Sequence, residues 1–369
     1  MKILIIRYKK VRGVPEGGEK ASELNHTVLE GIAGEKNVDT YYIYDENRRR
    51  TLWEYAQGFM YMPLGYYLGL TPRRVREIVK QAQNYDVVFV DRSVFGIIAK
   101  KLKENGYKGR VVCFFHNVEV IYFGAKYCQW FNPIRWIVLP CVNRNDRWCC
   151  RYADRTIALS QRDDDELFRR YGRHADQLIP IAFVDTYRHD TYPADSIAKR
   201  PLCVFLGAYF PANVEGIEWF VKNVLPRVDI RMLVVGKGMD RLKEADWMRG
   251  DIEVLSDVPD LAPVFEEADL MVLPIFKGSG MKVKTCESLM YGKNIIGTPE
   301  AWSGYDVDYA KAGACCLTAD EFVEAINGFC TTSYPRFNAY SRQMFVENYS
   351  ADRMVDKFRA VLPSAGALP

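Results

Sequence analysis

The sequence has little net charge, no C-x-x-C pair and no long apolar run, and each absence excludes a class of protein. Lysine and arginine outnumber aspartate and glutamate by only 3 in 369 residues. No RNA- or DNA-binding motif occurs, so we expect no nucleic-acid partner. The ten cysteines include no C-x-x-C pair, which argues against a zinc ribbon or a dithiol redox site. No apolar run approaches the roughly 18 residues that span a bilayer.

The first residues do not have the pattern of a secretion signal. The apolar run within Met1–Arg7 is too short for the core of a signal peptide, and no cleavage site follows it. We therefore expect a cytoplasmic protein. In a reducing cytoplasm the cysteines are expected to act as small apolar residues of the core.

Apolar strands alternate with amphipathic helical stretches along the chain, and this order predicts an α/β fold with parallel sheets covered by helices on both faces. The length of 369 residues suffices for two domains, and 49% hydrophobic and 26% charged residues are the balance of a globular protein. The polar stretch Asp185–Arg200 is the predicted linker between the domains. Strands are predicted at Lys2–Arg7, Val38–Ile43, Asp86–Asp91, Arg110–Phe115, Arg155–Leu159 and Gln177–Ile181, and again at Leu202–Leu206, Ile230–Val235, Ile252–Leu255, Asp269–Leu273, Asn294–Gly297 and Ala314–Leu317.

The segment Leu273–Thr298 is the most informative part of the chain. It is predicted to contain the end of a strand, a glycine-rich turn, a helix of about two turns and a further strand. Gly278 and Gly280 allow the backbone to approach a ligand closely. The helix that follows points unpaired N–H groups at any anion placed at its start.

Charged side chains follow the two glycines. Lys282 and Lys284 add positive charge, and Glu287 lies one helical turn beyond Lys284, close enough to reach a sugar hydroxyl. A diphosphate with an attached ribose fits this arrangement. The alternative is a tight strand–helix turn with solvated lysines, since the segment matches neither a Walker nor a dinucleotide fingerprint.

The string G-S-G-M-K-V-K-T-C-E resembles the donor-binding signature of the retaining glycosyltransferases of family 4, in the subgroup whose turn reads G-x-G-x-x-x-K-x-x-E. The resemblance covers nearly the whole chain and is strongest at Val204–Thr298. It implies the GT-B fold, in which two doubly wound Rossmann-like domains face a cleft. It implies an acceptor-binding domain at residues 1–185 and a nucleotide-sugar-binding domain at 200–345. Residues 346–369 would form a C-terminal helix that crosses back to the N-terminal domain.

The resemblance also assigns the donor site. In that family the second glutamate of a Glu–seven residues–Glu motif holds the ribose, and Glu287 has its place, whereas Ser279 replaces the first glutamate. The family's Arg and Lys after the first C-terminal strand are missing too, since Gly207 is followed by Ala-Tyr-Phe-Pro. The diphosphate is therefore assigned first to Lys284 and next to Lys282. Backbone positions expected along the donor are Gly207, Ser279, Gly280 and Met281.

Further positions are implicated by the same resemblance. Gly17-Gly18 opens a helix after the first strand, where the family has a turn that faces the donor diphosphate across the cleft. His116 ends a strand, at the edge where open α/β sheets bind ligands, and the family has a histidine there that contacts the donor sugar. Lys237 is expected at the ribose or phosphate, and the backbone near Val258 at the base. The alternatives are ordinary loops and a structural histidine.

Asp163-Asp164-Asp165 has two interpretations. Other glycosyltransferases hold manganese with an Asp-x-Asp motif. Here, however, Ser160 precedes the run as a predicted helix N-cap, and acidic side chains in a first turn suit the helix dipole. We therefore predict a helix start, and neither a metal nor another cofactor.

Two stretches of the first half combine aromatic and basic residues, namely Arg48–Arg76 and Tyr122–Tyr152, the latter including Trp130, Phe131, Arg135, Trp136, Arg144, Arg147, Trp148 and Arg151. Aromatic rings beside arginines suit an interface with anionic lipid. Packing against the core or a dimer contact is the alternative. The sequence therefore allows peripheral membrane contact through the N-terminal domain.

The resemblance implies transfer of a sugar from a UDP-sugar or GDP-sugar donor to a hydroxyl acceptor, with retention of the anomeric configuration. The expected acceptor is a saccharide or lipid-linked saccharide of capsule, exopolysaccharide or lipopolysaccharide assembly in bacteria. Two alternatives stay open. A GT-B nucleotide-sugar epimerase would need carboxylates placed for elimination, and the sequence shows no convincing set. A non-catalytic assembly protein is compatible with Ser279 but less with the intact Lys284 and Glu287.

Overall fold

The computed structural model describes residues 1–9, 17–44, 52–67, 69–127, 133–188, 196–197, 200–331 and 334–363, without the side chains of 52–55. The start of the Arg48–Arg76 stretch, Trp130, Phe131 and part of the predicted linker lie outside these residues. Contacts divide the chain into two compact units. Met1–Pro180 and Ala351–Pro369 form the first unit, and Ile181–Ser350 forms the second.

The first unit is built on a parallel sheet, with six strands in the described residues. The strands are β1 (Ile3–Lys9), β2 (Val38–Tyr44), β3 (Val87–Val90), β4 (Arg110–Phe115), β5 (Arg155–Ala158) and β6 (Gln177–Leu178). Their order is β2-β1-β3-β4-β5-β6, and Ile3 of β1 pairs with Val38 on one side and Val87 on the other. The central strands β1, β3, β4 and β5 are mostly buried, as parallel sheets covered on both faces require, whereas the edge strands β2 and β6 are largely half-buried.

Helices cover this first sheet and connect its strands. They are α1 (Gly17–Ala33), α2 (Leu52–Tyr61), α3 (Pro72–Ala82), α4 (Gly96–Glu104), α5 (Glu119–Lys126), α6 (Ile134–Tyr152) and α7 (Gln161–Tyr171). The core lies between them and the sheet, where Ile3 to Ile6 and Val87 to Val90 are completely buried.

The second unit repeats the design with strands β7 (Leu202–Leu206), β8 (Arg231–Val235), β9 (Ile252–Leu255), β10 (Leu270–Leu273), β11 (Asn294–Gly297) and β12 (Gly313–Cys315). Their order is β12-β11-β10-β7-β8-β9, and all described pairs are parallel. The helices are α8 (Pro211–Asn223), α9 (Ala262–Glu267), α10 (Val283–Met290), α11 (Pro299–Trp302), α12 (Tyr309–Ala312), α13 (Ala319–Thr331) and α14 (Ala339–Met344).

The final helix, α15 (Ala351–Val361), belongs to the first unit. Its Phe358 is fully buried, with ring centroids 6.0 Å from Phe89 and 6.3 Å from Phe114. Arg110 Nη1 donates to the Val361 carbonyl at 3.2 Å. The C-terminal helix therefore crosses back to the N-terminal unit, as predicted.

The chain passes between the units a few residues from the predicted boundaries. The first passage follows Pro180 rather than residue 185, and the described parts of Asp185–Arg200 belong to the second unit. The return begins at Ala351 rather than residue 346, because Tyr349 is still held by the second unit. Its hydroxyl accepts from the Asp306 N–H at 2.8 Å, and its carbonyl accepts from the Phe183 N–H at 3.0 Å.

Each sheet has a point at which its strand order reverses, and such points hold the ligands of open α/β sheets at the carboxyl ends of the strands. In the first unit the reversal lies between β1 and β3, and in the second between β7 and β10. All twelve predicted strands are present, although β6 has only two residues and β12 begins one residue early. No helix among the described residues is both long and apolar enough to cross a membrane.

Candidate functional site

The glycine-rich turn after β10 is fixed by backbone geometry and by its own lysine. Gly280 has φ +62°, which favours glycine. The Lys282 ammonium binds the Gly280 carbonyl at 2.9 Å and the Glu300 carboxylate at 2.7 Å. Tyr305 donates to the Lys282 carbonyl at 2.6 Å. Lys282 therefore ties the turn to its own backbone and to α11, a structural engagement that the sequence did not predict.

Lys284 lies at the reversal of strand order in the second unit. It is in the first turn of α10, as predicted, and its ammonium donates to Asn213 Oδ1 at 2.8 Å and lies 4.5 Å from the centre of the Phe205 ring. A Cβ on Gly207 would lie 2.8 Å from the same ammonium. A side chain at 207 would thus displace Lys284, which explains the glycine after β7.

The ammonium of Lys284 is poorly solvated, and this changes its acidity. Burial, and after it the charge of Lys282, lower the pKa of Lys284 to about 7, while the Glu287 carboxylate opposes the shift. A cation with this pKa gains a full charge when an anion binds beside it, because the anion stabilises the protonated form. Lys284 is therefore suited to bind a phosphate group.

Glu287 follows Lys284 on the same face of α10, three residues along the helix. Its side chain is 7% exposed, and it lies close enough to Lys284 to raise the pKa of that lysine. The helix thus presents an ammonium and a carboxylate together. A phosphate and a neighbouring pair of hydroxyls are groups that these two charges can bind.

The loops after β7, β8 and β9 form one connected edge beside Lys284. Gly236 packs so tightly that a Cβ would lie 1.9 Å from the Gly207 carbonyl oxygen. The Tyr209 N–H donates to the Lys237 carbonyl at 2.8 Å, and the Gly238 N–H donates to Ser256 Oγ at 3.0 Å. Lys237 is exposed and Val258 half-buried on this edge.

The other predicted residues of the turn are half-buried or buried. Ser279 is half-buried, while Gly280 and Met281 are buried. Met281 Sδ accepts from the Ile181 N–H at 3.4 Å, so this side chain anchors the turn to the second unit. The structure therefore places Gly207 against the Lys284 ammonium, Glu287 three residues further along the same helix, and Lys237 and Val258 on the adjoining loops.

The first unit has its own cluster at the reversal between β1 and β3. Gly17 and Gly18 begin α1, as predicted, and a Cβ on Gly18 would lie 2.9 Å from a guanidinium nitrogen of Arg92. Arg92 directly follows Asp91 at the end of β3. A helix start and a guanidinium therefore lie together at the edge where the sheet would hold a ligand.

His116 lies in the same cluster, beyond the end of β4. It is 4% exposed, and its Nε2 is 3.3 Å from Asp91 Oδ1. Asn25 of α1 donates to the same Oδ1 at 2.8 Å. Burial lowers the pKa of His116, and Asp91 opposes the shift. Burial acts to raise the pKa of Asp91, but His116, Ser22 and Asn25 hold it below its ordinary value. The Asp91 carboxylate is thus held ionised, while burial disfavours the charged form of the His116 ring.

The aspartate run Asp163-Asp164-Asp165 begins a helix, as predicted. Ser160 Oγ accepts from the Asp163 N–H at 3.3 Å and donates to Asp163 Oδ2 at 2.7 Å, a reciprocal N-cap of α7. Asp164 accepts from His174 Nδ1 at 2.8 Å. In the ranges that the structure describes, no three or more histidine, cysteine or acidic side chains are grouped as metal ligands.

The sequence did not identify Asn213, Arg92, Asp91 or Asn25. The signal for Asn213 was weak, since an asparagine in the first turn of a helix after a strand is ordinary. Asp91 had a stronger signal, because a carboxylate directly follows one apolar strand and His116 directly follows its neighbour in the sheet.

Two family models match the chain over residues that correspond to the two units. The one described as Glycosyltransferase Family 4 matches residues 41–181, and the one described as Glycosyl transferases group 1 matches residues 200–331. Together they span nearly three quarters of the chain. The chain therefore belongs to the group 1 glycosyltransferases.

Solved structures with the GT-B fold resemble the chain over its whole length. HepE from Anabaena, in complex with UDP and glucose, has a TM-score of 0.67 at 15% identity, with 96% of this chain and 98% of that chain covered. Sucrose-phosphate synthase from Thermosynechococcus elongatus has a TM-score of 0.74 at 14% identity, with 98% of each chain covered. The lipopolysaccharide outer core galactosyltransferase WaaB, in its apo form, has a TM-score of 0.66 at 14% identity, with 98% of this chain and 99% of that chain covered. These likenesses show the GT-B fold, and no curated protein matches the sequence.

Proposed function

We propose that the protein transfers a sugar from a nucleotide-diphosphate sugar to a hydroxyl acceptor with retention of anomeric configuration. The observation that carries this proposal is the cluster of Gly207, Asn213, Lys284 and Glu287 at the strand-order reversal of the second unit. Lys284 binds the diphosphate and Glu287 holds the ribose. The complex of HepE with UDP and glucose supports a uridine nucleotide as the first donor to test.

The reaction needs charge stabilisation more than a covalent nucleophile. Positive charge develops at the anomeric carbon and negative charge on the departing diphosphate. The acceptor oxygen forms its bond to that carbon, the bond to the diphosphate oxygen breaks, and the acceptor proton passes to the diphosphate. Lys284 and the first N–H groups of α10 stabilise the leaving group in the transition state. We also propose His116 as a contact of the sugar, as the family resemblance implies.

Nucleotide binding tests the proposal directly. We expect UDP or GDP, but not the corresponding nucleoside, to bind in calorimetry and to raise the melting temperature. Affinity should be unchanged in EDTA, because an ammonium and helix N–H groups replace a metal. Failure to bind either nucleotide would favour the non-catalytic alternative. Binding that is lost in EDTA and restored by manganese would refute the metal-independent site.

The acceptor is proposed to be a saccharide, in lipid-linked form, at a bacterial membrane. Support comes from one exposed stripe of α6. Trp136, Ile137 and Pro140 are followed on the same face by Arg144, Arg147 and Arg151, all of them exposed. Trp136 is 77% exposed, which rules out packing of this ring in the core of the first unit.

A turn beside α6 extends the apolar end of this stripe. The Pro63 carbonyl accepts a hydrogen bond from Arg144, which places the turn next to the helix. Its neighbours Met60 and Leu64 are 56% and 60% exposed. The stripe runs for about 22 Å, from an apolar end to an arginine end. Apolar groups can enter the lipid interface while arginines bind anionic headgroups, so we propose an anionic bilayer as the occupant.

Vesicle sedimentation tests this surface. Each arginine near an anionic membrane contributes about 1 kcal/mol, so Arg147→Gln with Arg151→Gln should weaken binding to phosphatidylglycerol-containing vesicles by roughly thirtyfold. Trp136→Ser should weaken binding as well. Arg227→Gln with Arg249→Gln removes equal charge from the second unit and is the matched control. Equal binding by all variants would refute the proposal, and a dimer lost in Trp136→Ser would identify the stripe as an interface between copies.

A further inference from the structure

Asp91 is buried without a complete set of hydrogen-bond partners. It is 1% exposed, and both Asn25 Nδ2 and His116 Nε2 lie against the same oxygen, Oδ1, at 2.8 and 3.3 Å. Among the described residues its second oxygen, Oδ2, has no hydrogen-bond partner. The carboxylate stays ionised in spite of burial because His116, Ser22 and Asn25 together lower its pKa.

The geometry fixes the protonation of the histidine ring. An ionised carboxylate can only accept hydrogen bonds, so a histidine nitrogen that bonds to it must carry the proton. The contact is made by Nε2. In a neutral ring the proton then lies on Nε2, and Nδ1 is left as an acceptor.

We propose that Asp91 is a positioning residue that holds His116 in the Nε2–H tautomer, so that Nδ1 accepts a hydrogen bond from a hydroxyl of the bound sugar. Asn25 holds the carboxylate in place from α1, and the Phe114 ring, 4.8 Å from the imidazole, supports the plane of the histidine. The tautomer follows from the contact between Nε2 and Oδ1 together with the ionised state of Asp91. Its role toward the sugar rests on the proposed function.

Nitrogen chemical shifts of the histidine rings test the tautomer without any substrate. The chain has four histidines, so the His116 signal can be assigned in ¹⁵N-histidine-labelled protein from its loss in His116→Asn. We expect the wild-type protein at neutral pH to show a protonated Nε2 and an unprotonated Nδ1. A charged ring or the opposite tautomer would overturn the inference, whatever the activity.

Two substitutions separate positioning from folding. Asp91→Ala removes the acceptor and should give a mixture of tautomers. Asp91→Asn keeps an oxygen for both donors and should restore the Nε2–H form. In turnover, Asp91→Ala should lower kcat/KM by roughly ten- to a hundredfold, the usual cost of a lost hydrogen bond to a charged group, and Asp91→Asn should recover most of it. Equal loss in both variants would indicate a merely structural carboxylate.

The chain supplies a control pair. His174 Nδ1 lies 2.8 Å from Asp164 Oδ2 in the first unit, with the histidine side chain 56% exposed and the aspartate buried. Asp164→Asn should alter the His174 signal and leave turnover unchanged. If the tautomer of His116 is confirmed but His116→Asn has normal kinetics, the sugar contact fails while the role of Asp91 toward the ring stands.

Discussion

Lys284→Ala should lower kcat/KM by about a hundredfold or more, the effect of removing one preorganised charge-stabilising group from an active site. The ammonium lies 2.8 Å from Asn213 Oδ1 and against Gly207. Burial at this position leaves the charge poorly solvated by water. Its charge matters more as the diphosphate departs than in the ground state, so kcat should fall as well as affinity. Steady-state kinetics with the donor varied measure both.

The controls for this prediction use other lysines. Lys222→Ala removes an exposed lysine of α8 that pairs with Glu218 and should have no effect. Lys282→Ala should cost less than Lys284→Ala, because Lys282 is engaged with Glu300 and the turn. Near wild-type turnover in a folded Lys284→Ala protein would show that another group neutralises the diphosphate.

The same residue should set a pH limit. Because burial lowers the pKa of Lys284 to about 7, the free enzyme loses this charge as the pH rises through that value. Since kcat/KM reports groups of the free enzyme, it should decrease above pH 7. Lys284→Arg keeps its charge and should move the decrease to higher pH. A wild-type profile that is flat from pH 6 to 9 would contradict the assignment.

The sequence predicted the strands well because most of them are short apolar runs between turn residues, and parallel sheets bury such runs on both faces. It also placed Lys284 and Glu287 correctly relative to each other, since three residues along a helix share a face. These relations are local. Local patterns do not mark where a chain leaves one unit, and the return to the first unit at Ala351 depends on how Tyr349 is held.

The partners of the site residues are what the sequence could not supply. Asn213 is 71 residues from Lys284, and Asn25 is 66 residues from Asp91. Such contacts arise only when the strand order brings distant loops to one edge of a sheet. The sequence likewise could not distinguish the two lysines of the turn by environment, although Lys282 pairs with Glu300 and Lys284 faces Gly207.

Glu287→Ala should weaken nucleotide binding by roughly 1.5–3 kcal/mol, the usual range for hydrogen bonds to a charged group. Glu287 is 7% exposed, so few water molecules could take the place of the two ribose hydroxyls at its carboxylate. Calorimetry with UDP and with GDP measures the loss, and Glu253→Ala, an exposed glutamate of β9, is the control. Unchanged affinity in a folded Glu287→Ala protein would refute the donor site.

Glu287 should also act through its neighbour, and this distinguishes a ribose contact from a general loss of structure. Its carboxylate raises the pKa of Lys284 against the effect of burial. Removing it should lower that pKa, so the decrease of kcat/KM in Glu287→Ala should begin at lower pH than in the wild type. Glu287→Gln should shift the profile in the same direction while keeping an acceptor for one hydroxyl. The double variant with Lys284→Arg should lose the shift, because arginine stays charged throughout this range. Additive effects of the two substitutions would show that the two charges act independently.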